Sequence, residues 1–214
     1  MGGDIAAGLA HKGSKVHFLG AIVFHGLDMA AIRGERLVFS GVNFTLGAGE
    51  AMLLVGPNGS GKSTLMRILA GLGRLAGGQL IWNGDDALAD RTAHAGRVAY
   101  LGHQDAVKHG LTVGENLQVW GDPAPGLVAM DLERLIDMPG RILSAGQKRR
   151  LALARLAINP APIWLLDEPT LGLDAASVAR LGHVLAAHRE RGGMVVAATH
   201  LPLPLQDVRE LALP

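Results

Sequence analysis

Residues 51 to 69 read AMLLVGPNGSGKSTLMRIL, and this stretch decides the fold. Ala51 to Val55 is a continuous apolar run entering a glycine turn, the pattern of a strand buried on both faces. From Ser63 to Leu72 the apolar residues Leu65, Ile68, Leu69 and Leu72 share one helical face, so a helix follows the turn. Between strand and helix, Gly56, Gly61, Lys62 and Ser63 satisfy G-x-x-x-x-G-K-[ST] within Gly56, Pro57, Asn58, Gly59, Ser60, Gly61, Lys62, Ser63 and Thr64. Glycines at these places let backbone N–H groups turn inward around a β-phosphate, and the helix amino terminus adds its positive dipole end. Lys62 neutralises the β- and γ-phosphates, and the Ser63 hydroxyl suits magnesium. The loop therefore predicts that the chain binds ATP with Mg2+ as cofactors.

Working outward, Ala21 to Phe24, Leu37 to Phe39 and the alternation Val42, Phe44, Leu46 read as short strands. Gln79 to Trp82 followed by Asn83-Gly84 reads as one arm of a hairpin. Arg97 to Leu101 is a further strand. Thr112 and Glu115 form a capping box that opens a helix, Asp122-Pro-Ala-Pro reads as a loop, and Asp131 to Ile136 suggests a second short helix. Helical periodicity resumes from Gly146 to Ala157 and stops at Asn159-Pro160. Asp174 caps a long helix with Val178, Leu181 and Leu185 inward, ended by Gly192-Gly193, before a buried strand Val195 to Ala198. Strands alternating with helices call for an α/β fold with a mainly parallel central sheet. The earlier strands form an antiparallel β subdomain, and residues 105–143 form an inserted helical subdomain. Residues 1–18 lack periodicity and read as a loose extension of a single domain spanning 19–214.

Two further motifs carry chemistry. Ile163-Trp-Leu-Leu-Asp167-Glu168 is a buried strand delivering two carboxylates. Asp167 is placed to hold magnesium, directly or through water, and Glu168 to act as general base on an attacking water. Leu143-Ser144-Ala145-Gly146-Gln147 is a small-residue turn opening a helix, a second anion site by the same dipole argument. His200, just past a buried strand, falls at the carboxyl edge of the sheet where ligands bind.

Composition narrows the function classes. The formal net charge is +1, so no global field favours nucleic acid, and Lys148 to Arg150 reads as a solvated helix face. Zero cysteines exclude disulfides, thiolate metal sites and thiol catalysis. The best apolar run, Val16 to Phe24, is too short to span a bilayer and carries His17. The chain is expected to be soluble or peripheral to a membrane. The histidines His11, His17, His25, His103, His109, His183 and His188 are scattered, and all but His103 are expected to face solvent, so no direct haem ligation is expected.

With the third motif in place, the chain resembles the nucleotide-binding subunits of ATP-binding-cassette (ABC) transporters. It matches the family's phosphate loop at Gly56 to Thr64, its glutamine loop at Gln104 and its signature at Leu143 to Gln147. It also matches the acidic strand at Ile163 to Thr170, the aspartate loop at Asp174 and the switch histidine at His200. The resemblance spans residues 20 to 205 and implies the fold of a P-loop NTPase of ABC type. It implies that Gln104 senses the γ-phosphate and magnesium and links to a membrane partner, while His200 contacts the γ-phosphate. It further implies a head-to-tail dimer in which Ser144, Ala145, Gly146 and Gln147 close over the ATP of a second copy, with Asp174 at the dimer interface. Two departures stand out. Ala145 replaces the commoner glycine, and Ile32 and Arg33 stand where an aromatic residue usually stacks on adenine; Phe39 reads as core.

Arg33-Gly-Glu-Arg-Leu-Val-Phe39, Tyr100-Leu-Gly-His-Gln104, Leu143-Ser-Ala-Gly-Gln-Lys-Arg-Arg150 and Gly193-Met-Val-Val-Ala-Ala-Thr-His200 resemble the small ATPases of cytochrome c maturation. That resemblance implies a peripheral subunit at the cytoplasmic face of the bacterial inner membrane. It would serve with integral membrane permease subunits in haem export or release of a haem chaperone. An exporter ATPase for lipid or drug is the alternative. A mechanical ATPase acting on DNA or ribosomes would need a coiled-coil insertion or a second cassette, and a non-hydrolysing regulator would be expected to lack Glu168 or His200.

Overall fold

The structure is a computed structural model that describes residues 23–213. The expected extension at 1–18, His11, His17, most of the apolar run from Val16 and the first residues of the strand expected from Ala21 lie outside the described residues. The chain continues as β1 (Val23–Arg33), β2 (Arg36–Gly47), β3 (Ala51–Val55), α1 (Lys62–Leu69), β4 (Gly77–Trp82), β5 (Asp85–Asp86), α2 (Arg91–Ala95) and β6 (Val98–Leu101). Next come α3 (Val113–Gln118), α4 (Ala124–Met130), two 3₁₀ turns at Glu133–Leu135 and Gly140–Ile142, and α5 (Ala145–Ile158). The chain closes with β7 (Ile163–Asp167), α6 (Ala175–Glu190), β8 (Met194–Ala198) and β9 (Val208–Ala212).

Two sheets result. One is antiparallel in the order β2-β1-β4-β5, and the other is parallel in the order β6-β7-β8-β3-β9. The parallel order follows from the apolar runs: every residue of β7 and β8 is buried, which needs cover on both faces. Alternation along β7 divides the core. Ile163 and Leu165 pack with α1 and the antiparallel sheet, whereas Trp164 and Leu166 pack with residues of α3 to α6. Because β3, β6, β7 and β8 run parallel, their carboxyl ends emerge at one edge, the place where such sheets bind ligands.

Local chemistry explains most boundaries. Asn83 and Gly84 both take positive φ, 52° and 93°, as a two-residue hairpin turn between β4 and β5 requires. The Thr112–Glu115 capping box at α3 is present with both reciprocal hydrogen bonds. Helix α1 stops earlier than its periodicity predicts, and Leu72 is exposed beyond Gly71. Buried His94 contributes to that stop: its Nε2 lies 2.8 Å from the Leu69 carbonyl, while Arg91 donates to the Gly71 carbonyl.

Several expectations are corrected. The first two strands form one long hairpin of 11 and 12 residues, broken by bulges between Gly26 and Ile32. Asp122-Pro-Ala-Pro is not simply a loop, since α4 begins at Ala124, where proline in the first turn loses no helical hydrogen bond. The second helix expected at Asp131 to Ile136 reduces to the 3₁₀ turn Glu133–Leu135. His188 does not face solvent. It is buried against Trp164, with ring centroids 3.6 Å apart, and burial pushes its pKa down to about 4. Strand β9 was not expected: its Arg209 and Glu210 are exposed, and among the described residues its backbone pairs with β3 alone. Among the described residues, no helix is long and apolar enough to cross a membrane.

Candidate functional site

The carboxyl edge of the parallel sheet holds a cavity of about 480 Å³. Its lining includes Asn58, Gly59, Gly61, Lys62, Ser63 and Thr64 from the loop after β3, Asp167 and Glu168 from the end of β7, and His200 past β8. Gly61 sits at φ 98°, and a Cβ there would come within 2.6 Å of Val38 Cγ1, so only glycine fits this turn. No side chain caps α1 at Gly61, which leaves the first amides of the helix for a ligand. The Lys62 ammonium reaches back over the loop, donating to the Gly56 carbonyl at 2.6 Å and the Pro57 carbonyl at 2.9 Å.

Asp167 is the only buried carboxylate among the described residues. It shares the cavity with the Ser63 hydroxyl, so two hard oxygen donors stand beside a phosphate-sized turn, a donor set that fits magnesium. Glu168 adopts φ 50°, unusual for a residue with a side chain, and its N–H donates to the Ala198 carbonyl at 2.7 Å. That turn directs the carboxylate toward the end of β8. The His200 N–H donates to Glu168 Oε2 at 3.3 Å, and His200 Nε2 stands 3.8 Å from Oε1. A carboxylate and an imidazole thus face the phosphate loop across the cavity.

Other expected residues lie elsewhere. Gln104 is exposed and outside the cavity lining, where its neighbour His103 stands instead. Ser144, Ala145, Gly146 and Gln147 also lie outside that lining. Ser144 caps α5 by accepting from the Gln147 N–H at 3.2 Å, while Gln147 Oε1 accepts from the Ser144 N–H at 2.8 Å. Asp174 caps α6; hydrogen bonds from the Ser177 side chain and N–H hold its pKa below the usual carboxylate value. Phe39 is buried in the core, while Arg33, Arg36 and Val38 line the cavity.

The phosphate loop, acidic strand end and histidine on one sheet edge meet a family match at this point. Residues 39–171, more than half of the chain, match the ABC transporter family model. Similar curated proteins include a cytochrome c biogenesis ATP-binding export protein CcmA of Paramagnetospirillum magneticum. It is 50% identical over 202 residues, covering 89% of this chain and 93% of the relative. The protein of the same name from Gluconobacter oxydans is 50% identical over 192 residues, covering 87% and 85%. The chain belongs to the ABC transporter ATPases, in the CcmA family. Solved structures agree in fold. The ATP-binding subunit of an ABC transporter superposes with a TM-score of 0.76 at 24% identity, covering 84% of this chain and 80% of that one. A bacterial Atm1-family ABC exporter with ATP bound also gives 0.76, at 23% identity, covering 85% of this chain and 35% of that one.

As a member of this family the chain is an ATPase. One residue with a place in the site escaped the sequence reading. Arg149, expected on a solvated face, is buried: Nη1 donates to Asp105 Oδ1 at 2.7 Å, and the rest of the guanidinium donates to carbonyls at the end of β7. A signal for it existed. Arg149 precedes Ala152, Leu153 and Leu156 by three, four and seven residues, which puts it on the buried face of α5.

Proposed function

We propose that this chain is the ATP-hydrolysing motor of an ABC complex serving cytochrome c biogenesis, where it drives haem export or release of a haem chaperone. It works as a head-to-tail dimer beneath integral membrane subunits, at the cytoplasmic face of the bacterial inner membrane. The observation carrying this reading is the convergence of Lys62, Ser63, Asp167, Glu168 and His200 on one cavity, in a chain half identical to proteins named for cytochrome c biogenesis.

In the proposed mechanism the loop amides from Gly59 to Thr64 and the Lys62 ammonium bind the β- and γ-phosphates of ATP. Ser63 and Asp167 are the residues that would hold Mg2+, with Gln104 joining them; the bound ion supplies neutralisation of the phosphate charge. Glu168 orients a water and accepts its proton as the oxygen attacks the γ-phosphorus. The bond from that phosphorus to the bridging oxygen breaks, leaving ADP and phosphate. His200 lies beside Glu168 and contacts the γ-phosphate.

Each chain has one phosphate loop and one signature turn, so two-fold symmetry lets Ser144 to Gln147 of a second copy close over the ATP, with Asp174 at that interface. A groove of about 290 Å³ beside Gln104, lined by Asp105, Lys108, Val119, Trp120 and Arg155, supports docking of a membrane subunit there.

Glu168→Gln tests the chemistry: the variant should bind ATP, accumulate as closed dimer on size-exclusion chromatography and lose turnover by about 100-fold or more. Turnover like the wild type would remove Glu168 from this role. Loss of the chain in its host should abolish haem-stained c-type cytochromes, and their persistence would refute the pathway.

A further inference from the structure

Arg149 is the only arginine or lysine buried among the described residues, at 5% exposure, and it stands one helical turn past Ser144 on α5. Its guanidinium grips three successive carbonyls. Nε donates to Pro169 O at 3.3 Å, and Nη2 donates to Asp167 O at 3.3 Å and Glu168 O at 2.5 Å. On its remaining side Nη1 meets the Asp105 carboxylate at 2.7 Å, one residue beyond Gln104. Burying a guanidinium is costly unless its donors are filled and its charge is paired, and here four of its five N–H donors find partners and the charge is paired with Asp105. What it grips is the segment that needs holding. Glu168 occupies a left-handed backbone conformation at φ 50°, sparsely populated for a residue with a Cβ, and such conformations persist only where the surroundings fix them. The peptide units on both sides of Glu168 determine where its carboxylate points, and their carbonyls are those that Arg149 holds.

We infer that Arg149 is a positioning residue for Glu168, holding the 167–169 turn so that the carboxylate faces the cavity beside His200, and that Asp105 ties this hold to the loop carrying Gln104. Three parts of the chain thus meet on one side chain: the helix behind the signature turn, the glutamine loop and the backbone at the end of β7. A displacement of the glutamine loop or of α5 reaches Glu168 through the guanidinium without crossing the cavity. Lysine cannot substitute, because an ammonium lacks the planar fork that serves three carbonyls and a carboxylate together. The inference rests on the role assigned to Glu168 above.

The test compares Arg149→Lys, Arg149→Gln and Asp105→Asn in the full chain assembled with its membrane subunits. ATP affinity and binding stoichiometry by calorimetry report the folded, competent fraction, and turnover is expressed per competent site. Arg149→Lys should lower kcat about 10-fold and Arg149→Gln between about 10- and 100-fold, the scale of a displaced catalytic group, with ATP affinity and KM within about twofold of wild type. Asp105→Asn should cost about threefold alone and add nothing in the Arg149→Gln background, since both act on one element. Wild-type kcat per competent site in Arg149→Lys and Arg149→Gln would overturn the inference, as would a fall in ATP affinity that matches the fall in kcat. Glu168→Gln, run alongside, separates the two readings. If that variant turns over normally the role of Glu168 fails, whereas a dead Glu168→Gln beside fully active Arg149 variants sinks only the positioning role.

Discussion

The two helix amino termini that the proposed mechanism assigns to phosphate are built in opposite ways. Helix α1 begins at Gly61, in a left-handed conformation, with no side chain on its first amides. Helix α5 is capped by Ser144, whose hydroxyl takes the Gln147 N–H, while Gln147 Oε1 takes the Ser144 N–H. Every helix leaves its first four N–H groups without an internal partner, so the contrast concerns who completes them. At α1 the loop glycines and Lys62 leave that task to a ligand inside the cavity. At α5 the chain fills the Ser144 and Gln147 N–H groups itself, so in the proposed dimer an arriving phosphate must share or displace those bonds. In the proposed dimer, the first site is therefore suited to hold nucleotide within one chain, and the second to close conditionally, when a second copy presents it.

The largest effect expected from breaking this contrast is at Lys62. Replacing it by alanine removes charge-assisted hydrogen bonds, each worth roughly 1.5 to 3 kcal/mol, so Lys62→Ala should weaken ATP binding about 100-fold in the full chain by calorimetry. Unchanged affinity would mean that the loop after β3 is not the nucleotide site. A smaller and different effect belongs to α5. Ser144→Ala removes a cap, lowers stability by about 1 kcal/mol and the melting temperature by about 2 to 4 °C. Turnover should fall about tenfold, less than for a wholly lost transition-state donor because the neighbouring amides remain, while a single chain keeps its ATP affinity. A loss of affinity comparable to that of Lys62→Ala would erase the distinction between the two termini.

The parts of this arrangement that were legible in the sequence are those whose chemistry is local. Strand β3 and the loop to Thr64 show as an apolar run followed by glycines, β7 as four apolar residues before two acids, and α5 as a serine cap closed by Asn159-Pro160. What was not legible depends on neighbours far away in the chain. Strand β9 is held by β3 through backbone pairing, and its half-exposed VRELA sequence carries no buried run. His188 becomes a core residue only because Trp164 lies flat against it, with Gly193 leaving room for the ring. Arg149 sat in a basic triplet that looked solvated, and its partners lie 18 to 44 residues away. The glutamine loop shows the limit most plainly: resemblance selects Gln104, yet His103 faces the cavity.

The smallest expected effect concerns Ala145, the first residue of α5 and the departure from the commoner glycine. Ala145 is exposed, and neither hydrogen bond of the Ser144–Gln147 cap involves its side chain. Ala145→Gly therefore keeps the cap and costs only helix propensity, below about 1 kcal/mol at a first-turn position. The melting temperature should fall by about 1 to 3 °C. ATP affinity should not change, and turnover should stay within about threefold of wild type, because the amides and the Ser144 hydroxyl that would meet a partner's phosphate remain in place. A larger rise in turnover would show that the methyl group obstructs closure, making α5 the slower of the two termini to engage. A loss of ATP affinity in the single chain would instead place α5 inside the first site, and the division of labour between the two helices would fail.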